Sequence, residues 1–431
     1  MNMLRTHYSN EVSKKDYGKK IAIAGWIEEI RNLGGIAFII LRDRYGRMQV
    51  TAIKKQNPEL FKELVSLSRE SVIAARGICQ ENEKVRNGWE LLIEEMEVLS
   101  NADTPLPMGV VDKVNVDFDT RLDNRIIDLR RDETKAIFMI RHAFIGFASE
   151  YLRKKDFIEV HTPKITAASS EGGTEVFKID YFGKPAYLVQ SPQLYKQMLM
   201  ASGLDRVYEI AWYFRAEEHD TSRHLNESTA IDIEMAFIES EEEVMRVAEE
   251  MTEYAIQKIM DECSNELEIL HAKIDAPSVP YPRITYDEVV EILQKEIDFK
   301  WGEDLGTDEE NLLAEKLDYE LYFITKFPVE AKPFYAMFDG KYARAFDLEF
   351  KGMEIASGAQ RIHDYELLIK RMDELGMNKE NFADYLKAFR YGMPPHGGFG
   401  YGIERFLMRL LNLKNIRECI LFPRDRKRLR P

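Results

Sequence analysis

The sequence predicts an α+β protein in which a small N-terminal β-barrel precedes a larger domain built on an antiparallel sheet flanked by helices. Three observations predict it. Residues 18–100 break into five strand-like runs separated by turn residues, with one helical stretch between the third and fourth. Residues 133–157 repeat apolar positions at helical spacing throughout their length. Further on, strand hairpins outnumber strand–helix–strand alternations, which argues against a parallel nucleotide-binding sheet.

Composition sets the outer limits. The chain has 431 residues, 45% hydrophobic and 31% charged, the balance of an ordinary globular protein of roughly two to three domains. No apolar run approaches the ~18 residues a bilayer span requires, and the start, MNMLRTHYSNEVSKKD, lacks the apolar core of a signal peptide. A cytoplasmic protein with no membrane partner is expected. Cys79, Cys263 and Cys419 are odd in number and far apart, so they read as buried thiols rather than a disulfide framework or a CxxC metal site. The net charge of -15 weighs against a polyanionic partner, yet residues 231–330 alone sum to -20 and residues 331–431 to +6. The acidic excess, with Glu239, Glu241, Glu242, Glu243, Asp308, Glu309 and Glu310, reads as solvated helix faces. Both ends of the chain remain able to meet a polyanion.

In order along the chain, KKIAIAGWIEEIRN, IAFIILRD and MQVTAI read as strands, the last two joined by the turn Arg44-Tyr45-Gly46. The helix NPELFKELVSLS and the strands SVIAARGICQ and WELLIEEMEVL follow. That order is the OB-fold, a frequent platform for single-stranded nucleic acid. Phe38 and Gln49 fall on neighbouring strands beside Arg31, Arg42, Arg44 and Arg47, and an aromatic among cations suits base stacking with phosphate contact. Strand periodicity alone favours Phe38 as a core residue. The prolines and glycine of ADTPLPMGVV mark a linker. The expected division is residues 1–103 as the OB-fold domain, 104–132 as a hinge, and 133–431 as the second domain, with an acidic helical insertion around 240–330. Within the last, FIEVHTPKI alternates like a strand with Pro163 near its end, a placement tolerated at an edge or interface.

Three segments carry candidate chemistry. In RVYEIAWYFRAEE, alternation puts Glu209, Tyr213, Arg215 and Glu217 on one face. Charges in so apolar a neighbourhood need a partner or a ligand. Asp232 and Glu234 share a face of the next strand, and the intervening loop offers Arg223 and His224; an Arg215–Glu217 salt bridge would satisfy part of the pattern without any ligand. In FDLEFKGMEIASGAQRIHD, Asp347, Glu354 and Ser357 supply the hard oxygens Mg²⁺ prefers, with Arg361 close behind. In HGGFGYGIERFLMRLL, Gly397, Gly398, Gly400 and Gly402 precede a helix, where glycines allow an anion close to the backbone and Arg405 in the first turn could clamp a phosphate.

Taken together, FRAE with its RHLNE loop, the proline-bearing FIEVHTPKI and GFGYGIER resemble the three motifs of class II aminoacyl-tRNA synthetases. SSEGGTEVF, SPQLYKQM, SGAQRIHD, YGMPPHGG and LFPRDRKRLRP are similar to segments of the aspartyl-tRNA synthetases of compact archaeal type. The resemblance runs along essentially the whole chain. It implies an OB-fold that binds the anticodon, a class II catalytic domain on a six-stranded antiparallel sheet, and a homodimer formed partly at Pro163. It also implies ATP and L-aspartate as substrates, Mg²⁺ as cofactor and tRNA as partner. Arg215 would meet the α-phosphate and the amino-acid carboxylate, and Glu217 the adenine amine. Arg223 and His224, beside Leu225, would meet the outer phosphates, and Arg405, beside Gly402, the γ-phosphate and adenine. Glu354 and Ser357, with Asp347, would hold Mg²⁺. Glu171, Gln193 and Asp232 would surround the substrate amino group, while Lys196 and Arg361 face its side chain. A bidentate arginine beside an ammonium suits a carboxylate better than an amide. Phe38 would stack an anticodon base and Gln49 read its edge. Residues near Trp26 and the loop around Glu83 and Lys84, which lacks the family's usual proline, bear on whether asparagine tRNA is also charged. An asparaginyl-tRNA synthetase, or a synthetase-like RNA- or amino-acid-binding protein without charging activity, are the alternatives.

Overall fold

A computed structural model describes residues 4–85, 88–111, 115–167, 175–218 and 221–431. They divide into two compact units, Met1–Asp117 and Phe118–Pro431.

The first unit is a closed five-stranded barrel in which β1 (Lys20–Asn32), β2 (Ile36–Arg42), β3 (Arg47–Ile53), β5 (Trp89–Ser100) and β4 (Val72–Glu81) follow one another around the wall. The two-residue period of a strand sends Ala37, Ile39 and Leu41 of β2 and Met48, Val50 and Ala52 of β3 inward, where they are buried with Ile21, Ile23 and Ile27 of β1. The helix α1 (Pro58–Ser66) lies between β3 and β4 in the chain. Asn57 starts it by accepting from the Leu60 amide at 3.0 Å, and Pro58 takes the first turn, where its missing N–H costs nothing.

The second unit is organised by an eight-stranded sheet with the order Arg283–Thr285, Leu321–Thr325, Ala345–Phe350, Glu354–Gln360, His396–Gly402, Glu227–Ala236, Arg206–Phe214 and Ile158–Glu159. Six inner strands are antiparallel, as expected. The two edge strands pair in parallel, which corrects the purely antiparallel expectation. Each edge strand pairs over only two or three residues and arrives by a long connection, so parallel pairing is accessible to it. The segment FIEVHTPKI is likewise not one strand: only Ile158–Glu159 and Ile165–Thr166 are extended and paired. Between them the Thr162 amide, the Thr162 hydroxyl and Lys164 Nζ turn toward the buried Glu209 carboxylate at 3.1, 2.8 and 2.6 Å.

The helices Asp132–Lys154 and Glu241–Glu262 cover one face of this sheet. Ile140, Phe144, Ala148 and Leu152 of the first and Val244, Met245, Met251 and Ile259 of the second pack with Ile231, Ile233, Phe399 and Tyr401 of the sheet. Fully burying each large aliphatic or aromatic side chain contributes about 1.5–3 kcal/mol. The expected helical insertion around 240–330 also holds the strands Arg283–Thr285 and Leu321–Thr325, which extend the main sheet, and has a core of its own around Tyr286, Val289, Leu293, Leu313 and Ile324. Among the described residues no helix is long and apolar enough to cross a membrane, and all three cysteines are buried and free.

One buried cation ties the start of this unit to its end. Arg125 is 1% exposed; it pairs with Asp128 at 2.7 Å and donates to the carbonyls of Leu421 and Ile420, each at 2.9 Å. Arg125→Ala strands those acceptors in a dry interior and should cost about 3–5 kcal/mol. Urea unfolding checks this, and an unchanged midpoint would contradict it.

Candidate active site

The strand Glu227–Ala236 sends Ile231, Ile233 and Met235 into the core, so Ala230, Asp232 and Glu234 face the opposite side. There a cleft of about 330 Å³ opens, lined among others by Gln193, Arg215, Asp232, Glu354, Arg361 and Arg405. Across the sheet, Ala230, Asp232 and Glu234 stand opposite Gly402, Gly400 and Gly398. A Cβ at Gly398 would lie 2.2 Å from Glu234 Oε2, and one at Gly400 2.7 Å from the Tyr213 hydroxyl. Gly398 and Gly400 therefore make room for Glu234 and Tyr213, whereas a Cβ at Gly402, which lines the cleft, would meet nothing closer than 3.6 Å. They form the strand His396–Gly402 itself, after which the helix Ile403–Leu410 begins.

One end of the cleft is a closed charge network. Lys196, from the helix Gln193–Met200, places Nζ 2.8 Å from Asp232 Oδ1 and 3.6 Å from Glu234 Oε2. Asp232 also accepts from the Tyr213 hydroxyl at 2.5 Å. Arg361 donates from Nε to Glu234 Oε1 at 3.0 Å, and from Nη2 to the Gly398 carbonyl at 2.9 Å and Gln193 Oε1 at 3.5 Å. Burial opposes ionisation of Glu234, yet Arg361 and Lys196 hold its carboxyl below its ordinary value. Lys196 also donates to the carbonyls of Ile233 and Phe399 at 3.2 and 3.0 Å, so its three N–H groups are committed and it acts on the cleft through charge alone. Nη1 of Arg361 takes part in none of these bonds and can meet a small carboxylate without the guanidinium moving.

The other end gathers the hairpin between Arg206–Phe214 and Glu227–Ala236. Asn226 closes it by donating to the carbonyls of Arg215 and Glu217 at 2.7 and 3.0 Å. Arg215 lies 5.6 Å over the Tyr213 ring and 3.9 Å from Glu217, a long and partly exposed contact. His224 reaches Glu217 at 3.8 Å and the Thr221 hydroxyl at 2.6 Å, and Leu225 is buried beside it. Arg405 donates to the Glu354 carbonyl at 3.1 Å and faces its carboxylate at 3.6 Å.

Between the two ends lie the oxygens. Asp347 and Ser357 are register partners on adjacent strands, with Glu354 at the start of the second. Lys332 holds Asp347 Oδ2 at 2.6 Å, while the buried Oδ1 has no hydrogen-bond partner among the described residues. Burial and the charge of Asp347 push the Glu354 carboxyl above its ordinary value. A partnerless buried carboxylate oxygen, a second carboxylate raised by the first and a hydroxyl exposed to the cleft form a donor set that fits a hard divalent cation such as Mg²⁺.

Of the expected cleft residues, Lys196 and Asp347 stand behind the lining, next to Asp232 and Ser357 respectively, and Glu171 lies outside the described residues. Glu209, placed by alternation on the face of Arg215, instead serves Thr162 and Lys164. Glu310 is not a solvated face: it accepts from Arg223 at 2.6 Å and from the Glu354 amide at 3.4 Å. Local pattern gave no sign of it, nor of Gln197 and His396 behind the charge network. On the barrel, Arg31, Phe38 and Thr51 form one row of the outer face, Glu29, Ile40 and Gln49 the next, and Trp26, Arg42 and Arg47 a third. Phe38 is half-buried between inward neighbours, so it is not core. Arg42 is withdrawn from any ligand, buried between Glu28 at 3.3 Å and Glu70 at 2.7 Å. Gln49 is held by Glu90 at 2.8 Å, and Pro163 is exposed near Ile158 and Ile165, each 46% exposed.

Two family models match the chain: one described as class II tRNA synthetases (D, K and N) over residues 117–426, the other as an OB-fold nucleic acid binding domain over residues 21–99. An aspartate–tRNA(Asp) ligase of Pyrococcus furiosus is 53% identical, with 100% of both chains covered. An aspartate–tRNA(Asp/Asn) ligase of Methanopyrus kandleri is 51% identical, again over 100% of both. Among solved structures, an asparaginyl-tRNA synthetase from Pyrococcus horikoshii complexed with asparaginyl-adenylate superposes with a TM-score of 0.93 at 34% identity, covering 100% of each chain. An aspartyl-tRNA synthetase from Entamoeba histolytica does so with a TM-score of 0.87 at 32% identity, over 99% of this chain and 92% of the other.

Proposed function

We propose, from the premise that this chain belongs to the class II tRNA synthetases and among them to the aspartate–tRNA ligases, that its two-ended cleft binds L-aspartate at the charge network and ATP at the hairpin. The observation that carries the assignment is Arg361 and Lys196 fixed side by side by Glu234 and Asp232. A substrate carboxylate meets the Arg361 guanidinium directly, with the Lys196 charge behind it, whereas a neutral amide gains no charge-assisted bond there. Asp232 and Gln193 receive the ammonium group.

The reaction then needs no protein nucleophile. An oxygen of the aspartate α-carboxylate attacks the α-phosphorus of ATP, the bond to pyrophosphate breaks, and aspartyl-adenylate forms. Arg215 offsets the charge that develops on the α-phosphate. Glu217 orients the adenine amine, while Arg223, His224 and Arg405 hold the outer phosphates in line with the leaving direction. Glu354, Ser357 and Asp347 would hold Mg²⁺, which supplies electrostatic neutralisation of the phosphates when bound. In the second step a hydroxyl at the 3′ end of tRNA attacks the acyl carbon and AMP leaves. The enzyme is read as cytoplasmic and as a homodimer that covers the exposed strip around Pro163.

Fold cannot choose between aspartate and asparagine, since enzymes for both superpose on this chain. Pyrophosphate exchange with each amino acid tests the choice: exchange with aspartate alone is expected, and exchange with asparagine alone would overturn the assignment. The relatives named for tRNA(Asp/Asn), at 49–51% identity, favour a second reading in which both tRNAs are charged. Aminoacylation of the two purified tRNAs decides it.

The outer face of the barrel is read as the anticodon platform, with Phe38 stacking a base and Gln49 and Trp26 beside it. Phe38→Ala should remove about 1–3 kcal/mol of tRNA binding while leaving aspartate-dependent exchange intact. Equal losses in charging and exchange would contradict this role.

A further inference from the structure

His396 is fully buried and lies outside the cleft, yet a chain of hydrogen bonds leads from it to the amino-acid end. Its Nδ1 is 2.8 Å from the Pro394 carbonyl, which can only accept, so Nδ1 carries the hydrogen. Burial pushes the imidazole down to about 4, so the ring is neutral and Nε2 is an acceptor. The Gln197 amide nitrogen, 3.1 Å away, must therefore donate to it. This turns Gln197 Oε1 the other way, where it accepts from Gln193 Nε2 at 2.9 Å and from the Tyr385 hydroxyl at 3.3 Å. With its nitrogen committed, Gln193 shows its oxygen to Arg361 and to the cleft. One backbone carbonyl thus sets the direction of every bond in the series.

We propose that His396 is a positioning residue for aspartate binding: through Gln197 it fixes the Gln193 amide with its carbonyl toward the cleft, where it accepts from the substrate ammonium and from Arg361. This rests on the assignment of that end of the cleft to aspartate. The physical reason is polarity. A reversed Gln193 would present its own N–H groups to a guanidinium and an ammonium, three donors with no acceptor among them.

The test measures KM for aspartate and for ATP in pyrophosphate exchange, together with thermal unfolding. His396→Leu removes the acceptor and should raise the aspartate KM about tenfold, the worth of one neutral hydrogen bond, with the ATP KM unchanged. His396→Gln, which restores an acceptor oxygen, should recover most of the loss. Gln197→Met, similar in volume and without donor or acceptor at that place, should reproduce the defect and keeps the test open should His396→Leu fold poorly. In a Gln193→Leu background the effect of either change should vanish, because the relay has nothing left to orient. Multiplying effects in the double variants, or parallel losses for ATP and aspartate, would show a merely structural histidine and overturn the proposal. A raised aspartate KM in Gln193→Leu with none in His396→Leu or Gln197→Met overturns the relay alone. An unchanged KM in Gln193→Leu itself overturns the aspartate assignment of that residue, and the relay with it.

Discussion

Arg361→Ala should lower kcat/KM for aspartate in pyrophosphate exchange by about a thousandfold while ATP still binds. Arg361 is 4% exposed and pairs with the fully buried Glu234, so the change removes a charge-assisted donor to the substrate carboxylate and leaves a buried carboxylate to Lys196 alone. Truncating one partner of a charge pair that is buried on binding costs the complex about 2–5 kcal/mol, which corresponds to roughly one and a half to four decades in kcat/KM. The ATP end is formed by other residues, Arg215, Glu217 and Arg223 of the hairpin connection and Arg405 of the helix Ile403–Leu410. Its affinity, measured by equilibrium dialysis, should stay within about threefold. Near-normal kcat/KM for aspartate would remove Arg361 from the substrate pocket. Loss of ATP binding in parallel would mean that the variant collapses the cleft, and Lys196→Ala, which leaves Arg361 on Glu234, then repeats the test with the same expected loss of aspartate use.

The second large effect is expected at Glu354. Glu354→Gln keeps size and hydrogen bonding but removes the charge that would hold Mg²⁺, a contribution of several kcal/mol to catalysis. Adenylate formation should fall by a hundredfold or more, and the Mg²⁺ concentration for half-maximal exchange should rise. Ser357→Ala should give a smaller defect, because it removes one neutral oxygen that water can replace. A purely structural Glu354 predicts the opposite sign. Its carboxylate sits near Asp347, whose charge raises its carboxyl along with burial, so neutralising it would then be neutral or slightly stabilising. A Mg²⁺ titration with an unshifted midpoint would sink the metal assignment.

The barrel strands were legible in chain order because alternation has a period of two residues, yet periodicity alone favoured Phe38 as core, and it is the burial of Ala37, Ile39 and Leu41 that shows Phe38 and Ile40 to face outward. The same counting put Asp232 and Glu234 on one face, which the register with Gly400 and Gly398 bears out. Where counting failed, a distant partner had the deciding vote. Glu209 obeys alternation yet is claimed by Thr162 and Lys164, more than forty residues upstream. The glycines of HGGFGYG looked like an anion cradle, and only the folded sheet shows that Glu234 and Tyr213 occupy the space beside Gly398 and Gly400.

The sequence by itself determined the order of the elements, which strand faces are apolar, and the charged candidates Arg215, Asp232, Glu354 and Arg361, since each of these is written in local period and residue type, while Gln193 and Lys196 came only from the family resemblance. Tertiary structure alone decided how those residues are held. It made parallel edges on an antiparallel sheet, drew Glu310 out of an acidic helix onto Arg223, buried Arg42 between two glutamates, and aligned His396 with Gln197 and Gln193. Such pairings join residues separated by up to two hundred positions. Their energy comes from burial and from the direction of hydrogen bonds, neither of which exists until the chain has folded and excluded water.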